Sequence, residues 1–200
     1  MAASEVISAK PVGAHEGYFY EITATGDQLE GGATDPTYAT GHLIPCLQSL
    51  AWGREIVESE LEGNDDVCDV WIRTKQGTFE LGMGGLDMIA YDRLLGVTSA
   101  DFGAGNNSYI DIGLDDIPEY FGLICRAVNS SGGDTHIQIF RAKAKDGPGG
   151  SFEQGSHYAE SWSGVAHQSY YGDRVLIRVI NHETAAAIPA TWPGNTPYQS

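Results

Sequence analysis

Six histidines, at positions 15, 42, 136, 157, 167 and 182, are the side chains best suited to hold a transition metal, and none stands in an HxH or HExxH spacing. A β-sandwich can gather ligands from distant strands, as cupins do, so a metal-enzyme reading depends on a convergence that the spacing does not offer. Asp65, Asp66 and Asp69 carry the oxygen donors that calcium prefers. The D-x-D-x-D-G order of a calcium loop is missing, and a solvated turn accounts for them more simply. There is no GxSxG elbow, and Gly147-Pro148-Gly149-Gly150-Ser151 lacks the GK[ST] ending of a phosphate loop. Acid neighbours such as Asp115-Asp116 or Glu58/Glu60 do not by themselves give the opposed geometry of a glycosidase pair. Trp52, Trp71, Trp162 and Trp192 could form a sugar-binding platform, although core packing is the simpler role for Trp71 and Trp162, which lie in strand-like runs. The expectation is no catalytic residue, no metal ligand and no cofactor.

Charge narrows the classes further. Twenty-seven Asp and Glu against 11 Lys and Arg give a formal net charge of −16. Such a field repels nucleic acid and anionic membranes, so a DNA-gripping role is disfavoured, while DNA passing by without sticking is allowed. Cys46, Cys68 and Cys125 are odd in number and show no CxxC, which suggests buried free thiols made in a reducing cytoplasm. The start, Met1-Ala2-Ala3-Ser4-Glu5-Val6-Ile7, lacks the basic and apolar regions of a signal peptide. No apolar run approaches the ~20 residues that span a bilayer. The product is expected to be made and kept in the cytosol unless an assembly carries it out.

The elements that would carry these residues are mostly strands. Twenty-six glycines and ten tyrosines favour turns and strands over helices. A chain of 200 residues makes one β domain that buries roughly 70% of its unfolded surface. Residues 1–17 suggest an arm or a first edge strand, followed by the strand Tyr18–Thr23 and a Gly/Thr/Asp loop over 24–41. Leu43–Leu50 and Arg54–Leu61 are strand candidates leading to a turn at Gly63-Asn64-Asp65-Asp66. Val67–Thr74 and Thr78–Met83 alternate as two strands joined by a turn at Lys75-Gln76-Gly77, with Cys68, Val70 and Ile72 on one face and Phe79, Leu81 and Met83 on an apolar face. A short amphipathic helix follows over 87–95, with Asp87 as N-cap and Gly96 as stop. A short strand at Tyr109–Gly113, strands at Tyr120–Arg126, Asp134–Ala144, Ser161–Ala166 and Arg174–Ile180, and loops at 129–133 and 146–150 complete the order. Residues 181–200 are expected as an irregular tail, and the part beyond Ile188, with three prolines, as irregular or partly disordered.

The order Asp65-Asp66, paired strands, then a short helix ending Leu94-Leu95-Gly96 resembles the major tail tube protein of long-tailed (siphophage-like) bacteriophages. Tyr120–Arg126 is similar to the strand after that helix, Asp134–Ala144 to the strand that answers it, and Ser161–Ala166 to the closing strand. The likeness covers roughly residues 42–168 and rests on an ordered pattern rather than an invariant signature. It implies a mainly β fold: a two-sheet antiparallel sandwich or partial barrel with one short flanking helix. It also implies a structural virion protein synthesised in the host cytoplasm. Its subunits would close into hexameric rings stacked as the tail tube, around a tape-measure protein and then around ejected DNA. Tail-terminator and distal tail proteins would be the other partners, with DNA only in transit and no membrane. A carbohydrate- or receptor-binding β-sandwich of a virion, or a cupin-like metal enzyme, are the alternatives.

Glu58, Glu60 and Glu62 recur with period two, so an extended strand turns all three to one side. Unpaired like charges are not buried, so that side is expected to be wet. In a tube it would be the bore, where carboxylates give passing phosphates nothing to hold, or else the outer wall.

Overall fold

The computed structural model describes residues 11–63, 66–85, 88–101, 108–130, 132–149 and 159–198. Its strands are β1 (Pro11–Ala24), β2 (Thr37–Tyr38), β3 (His42–Leu43), β4 (Leu47–Gly63), β5 (Asp66–Gly84), β6 (Thr98–Asp101), β7 (Ser108–Asp111), β8 (Tyr120–Asn129), β9 (Asp134–Gly149), β10 (Ala159–Ala166) and β11 (Ile177–His182). One helix, α1 (Met88–Leu95), joins β5 to β6. Nine strands form a sheet in the order β2-β1-β8-β9-β10-β5-β4, with β3 added beside β1 and β11 beside β9, while β6 and β7 form a separate ribbon. All pairings are antiparallel. The expected class holds: mainly β, antiparallel, with one short helix, the sandwich-like body being built by a sheet that does not close.

Each face of this sheet is covered differently. On one face Phe19, Leu47, Phe79, Leu81, Met83, Leu123 and Trp162 pack beneath α1, which contributes Ala90, Tyr91, Leu94 and Leu95. That i, i+1, i+4, i+5 spacing gives the helix one apolar stripe, and Gly96 at φ +67 ends it. The Trp162 indole N–H donates to Glu160 Oε2 at 2.9 Å, and the Tyr91 hydroxyl to Glu160 Oε1 at 3.3 Å, so the buried carboxylate is not left without donors. On the other face Tyr20 and Ile124 are covered by the chain after β11, through Ile188, Trp192 and Tyr198.

That segment is irregular, as expected, but packed. Residues 183–198 have neither helix nor strand, yet they lie as a strap across β1, β8 and β9. The Ala186 N–H donates to Asp134 Oδ2 at 2.6 Å, the Tyr20 hydroxyl to the Pro189 carbonyl at 2.5 Å, the Gly41 N–H to the Ala190 carbonyl at 2.8 Å, and Arg178 Nη1 to the Asn195 carbonyl at 2.6 Å. The strap covers a second apolar surface, which is why residues 121–125 of β8 are buried without alternation.

Other differences concern boundaries. Residues 11–17 continue β1, paired to β8, rather than forming a free arm, and residues 1–10 lie outside the described set. Within the 24–41 loop, Thr37–Tyr38 pairs with β1. The turn expected at Lys75-Gln76-Gly77 does not exist: β5 runs straight through it for 19 residues. What the sequence registers there is a register shift, since Glu55 pairs with Gln76 and Ile56 with Thr74, leaving Lys75 as the extra residue of a bulge. Likewise 146–149, expected as a loop, extends β9, and Arg174–Leu176 precede rather than begin β11. Cys125 is buried and its thiol pKa is pushed up by burial, but Cys46 is exposed and unbonded. The side chain of Cys68 and the N-cap expected at Asp87 lie outside the described residues.

Candidate assembly surface

β4 and β5 are 17 and 19 residues long, well beyond the 5–6 typical of globular proteins. Among the described residues no further strand pairs with their outer parts. β10 pairs with β5 from Gly77 to Gly84 only. Beyond that point Glu55–Gly63 and Asp66–Gln76 pair with each other alone among the described residues, as a two-stranded ribbon with both outer edges unpaired. A ribbon of this kind is marginal by itself, and its free N–H and C=O groups are a template for another strand.

Several of its described side chains are large, apolar and exposed. Ile56 is 47% exposed, Val70 43%, Trp71 51% and Ile72 57%. Val70 and Ile72, expected to share a face, are thus both exposed. Trp71 also departs from expectation: it is an exposed ring with the Arg73 guanidinium 5.3 Å from its centroid, whereas Trp162 is in the core as expected. Trp52 is half exposed at the base of the ribbon.

Glu58 is exposed and pairs across the ribbon with Ile72, and Glu60 pairs with Val70. The register shifts again between Leu61 and Glu62, which pairs with Val67. Side chains of Glu60 and Glu62 lie outside the described set, so the common direction of the three acids stays an expectation. Glu55 is engaged: it accepts from Lys75 Nζ at 2.8 Å and Gln76 Nε2 at 2.7 Å, and these bonds hold its carboxyl below the usual range.

At the ribbon's base, where β10 ends, the sheet forks. Ile177 of β11 lies against Gly77, and between β11 and the ribbon opens a cleft of about 560 Å³ lined by Trp52, Arg54, Thr74, Arg174, Val175 and Ile177, among others. Arg174 takes φ +59, a left-handed conformation that few non-glycine residues adopt. It is fixed beside Asp173, whose Oδ1 accepts the Val175 N–H at 3.1 Å.

His157, Asp65 and the side chains of Asp66 and Asp69 lie outside the described residues. Among the described residues no group of three His, Cys, Asp or Glu could hold a metal. His136 and His182 do meet, with centroids 4.5 Å apart, beneath the strap, where His136 Nδ1 is 2.6 Å from the Tyr198 hydroxyl. Burial first, and the neighbouring His182 second, push the His136 pKa down to about 4. Burial alone would raise the nearby Asp134 carboxyl; the Ala186 N–H and the Arg126 guanidinium, whose Nε is 2.9 Å away, together hold it low. Sequence reasoning missed this cluster because its members come from β8, β9, β11 and the strap.

No protein-family model matches the chain, and no curated protein matches it. Among solved structures, it is similar to a chain of the baseplate of the anti-feeding prophage, with 12% identity over 89% of this chain and 97% of that chain, at a TM-score of 0.37.

Proposed function

We propose that the protein is a self-assembling structural subunit, the tail tube protein of a siphophage-like virion, whose rings stack into the conduit for DNA. The observation that carries this reading is the outer half of the β4–β5 hairpin, which leaves Val70, Trp71 and Ile72 exposed and, among the described residues, two strand edges unpaired. An isolated monomer gains nothing from such a ribbon and is put at risk of aggregation by it. A ring of copies covers it. Because the ribbon and the surfaces it would meet are different patches, the contact is heterologous and generates rings or filaments rather than a closed two-fold dimer. The sequence resemblance supplies the virion context and the hexameric order. The net charge of −16 suits a bore that DNA crosses without adhering.

No catalytic step is required by this function. A sugar-binding virion module remains the second reading, favoured only by the exposed Trp52 and Trp71. Negative-stain microscopy of concentrated protein, alone and with tail-initiator proteins, tests the choice. Rings or tubes are expected; a strict monomer that never enters tubes and binds sugar saturably overturns the assembly reading.

A further inference from the structure

We infer that the acidic end of the β4–β5 ribbon of one copy docks into the Arg54/Arg174 cleft of the next. This rests on the assembly reading and names the surfaces that meet. The ribbon is strongly one-signed: between Arg54 and Arg73 the sequence carries Glu55, Glu58, Glu60, Glu62, Asp65, Asp66 and Asp69 and neither Lys nor Arg. Glu55 is taken by Lys75 and Gln76, while Glu58 is exposed. Between the acids the same ribbon shows Val70 and Ile72 to solvent.

The cleft is complementary on both counts. Trp52, Val175 and Ile177 give it apolar walls, and Arg54 and Arg174, both exposed, stand at its sides. Neither arginine makes an ion pair among the described residues, although acids far outnumber bases in the chain. Asp173, next to Arg174 in the sequence, is turned to the Val175 N–H and, at 3.9 Å, to Arg178. Arg126 is engaged by Asp134 and Glu16, and Arg141 lies between the rings of Tyr120 and Tyr170. Two unpaired guanidinium groups over an apolar notch are a receptor for an acidic, apolar strand. A tip and a base on the same hairpin cannot meet within one copy, so the contact repeats head to tail. It also gives Glu58, Glu60 and Glu62 a role other than lining a bore.

Charge reversal tests the pairing in the full-length protein by sedimentation and microscopy. R54E/R174E and E58R/E60R/E62R are each expected to raise the concentration needed for assembly about tenfold or more, equivalent to about 1.4 kcal/mol. Mixing the two variants, or combining all five changes in one chain, is expected to restore it, which a merely misfolded variant cannot do. Assembly that ignores both reversals, or reversals that fail to rescue each other while the wild type assembles, overturns the docking and leaves the assembly reading standing. A wild-type chain that stays monomeric at the highest concentration reached overturns both.

Discussion

Trp192 stacks on Tyr38 with ring centroids 4.3 Å apart and an interplanar angle of 15°, and the same indole meets Tyr20 and Phe140 edge-on. It is the anchor of the strap. Gly122 of β8 lies directly beneath: a Cβ there would stand 2.5 Å from the Trp192 ring. Gly122→Ala is therefore expected to unseat the strap and Trp192→Ala to empty its socket. Each should destabilise by about 2–4 kcal/mol, somewhat less than a full core Trp truncation. The checks are thermal unfolding and limited proteolysis, with new cleavage confined to the chain after His182.

Acid should loosen the same strap. His136 is fully buried with a pKa lowered to about 4, against about 6.5 in an unfolded chain. The folded state thus binds fewer protons than the unfolded state between those values. The stabilisation is present above pH 6.5 and is lost as pH falls toward 4, by roughly 3 kcal/mol in total. His182, lowered by burial, acts in the same direction, and Asp134, held low, adds a further loss only at lower pH. Hydrogen exchange of residues 183–198 at pH 7 and pH 4.5 reads this out. His136→Phe should flatten the dependence, and unchanged protection at the two pH values would count against it.

The parts legible in the sequence were those fixed by local pattern. α1 follows from its apolar stripe and Gly96, while Ser161–Ala166 is reached through the likeness to a closing strand and alternates in burial, Glu160 and Trp162 inside against exposed Ser161. The turn misplaced at Lys75 shows why the rest was not. Gly77 permits a turn, but it is there because Ala166 and Ile177 leave no room for a Cβ, with distances of 2.9 and 3.1 Å. Period two likewise identified Val70 and Ile72 as a shared face, and could not say that both stay exposed. The strap has no periodicity at all; its position comes from Asp134, Trp192 and Tyr198 finding partners far away in the chain. The cleft joins Arg54 to Arg174 for the same reason.

Removing the ribbon's apolar groups should separate assembly from folding. Trp71→Ser with Ile72→Ser changes side chains that are 51% and 57% exposed, so monomer stability is expected to move by no more than about 0.5–1 kcal/mol. Assembly should fall sharply, since these are the groups a neighbour would desolvate. Thermal unfolding of the monomer and sedimentation of concentrated protein, measured side by side, give the comparison. Loss of stability equal to the loss of assembly would assign Trp71 and Ile72 to the fold instead.

Ionic strength should act on assembly in two opposite ways. Copies carrying −16 each repel one another, and with a Debye length of about 30 Å at 0.01 M that repulsion reaches across the whole contact. Raising salt to about 0.1–0.15 M shortens the length to about 8–10 Å and removes most of the long-range term. The contact of the ribbon's carboxylates with Arg54 and Arg174 acts over shorter distances and survives that change. Near 1 M, where the length is about 3 Å, the exposed pairs are screened as well, while apolar burial of Ile72 and Val70 persists. Assembly is therefore expected to be weak at low salt, strongest at intermediate salt and partly reduced at high chloride. In R54E/R174E the repulsive limb should remain and the high-salt decline should vanish, because no attractive pair is left to screen. Assembly that rises monotonically with salt in the wild type would show that net repulsion alone governs the contact.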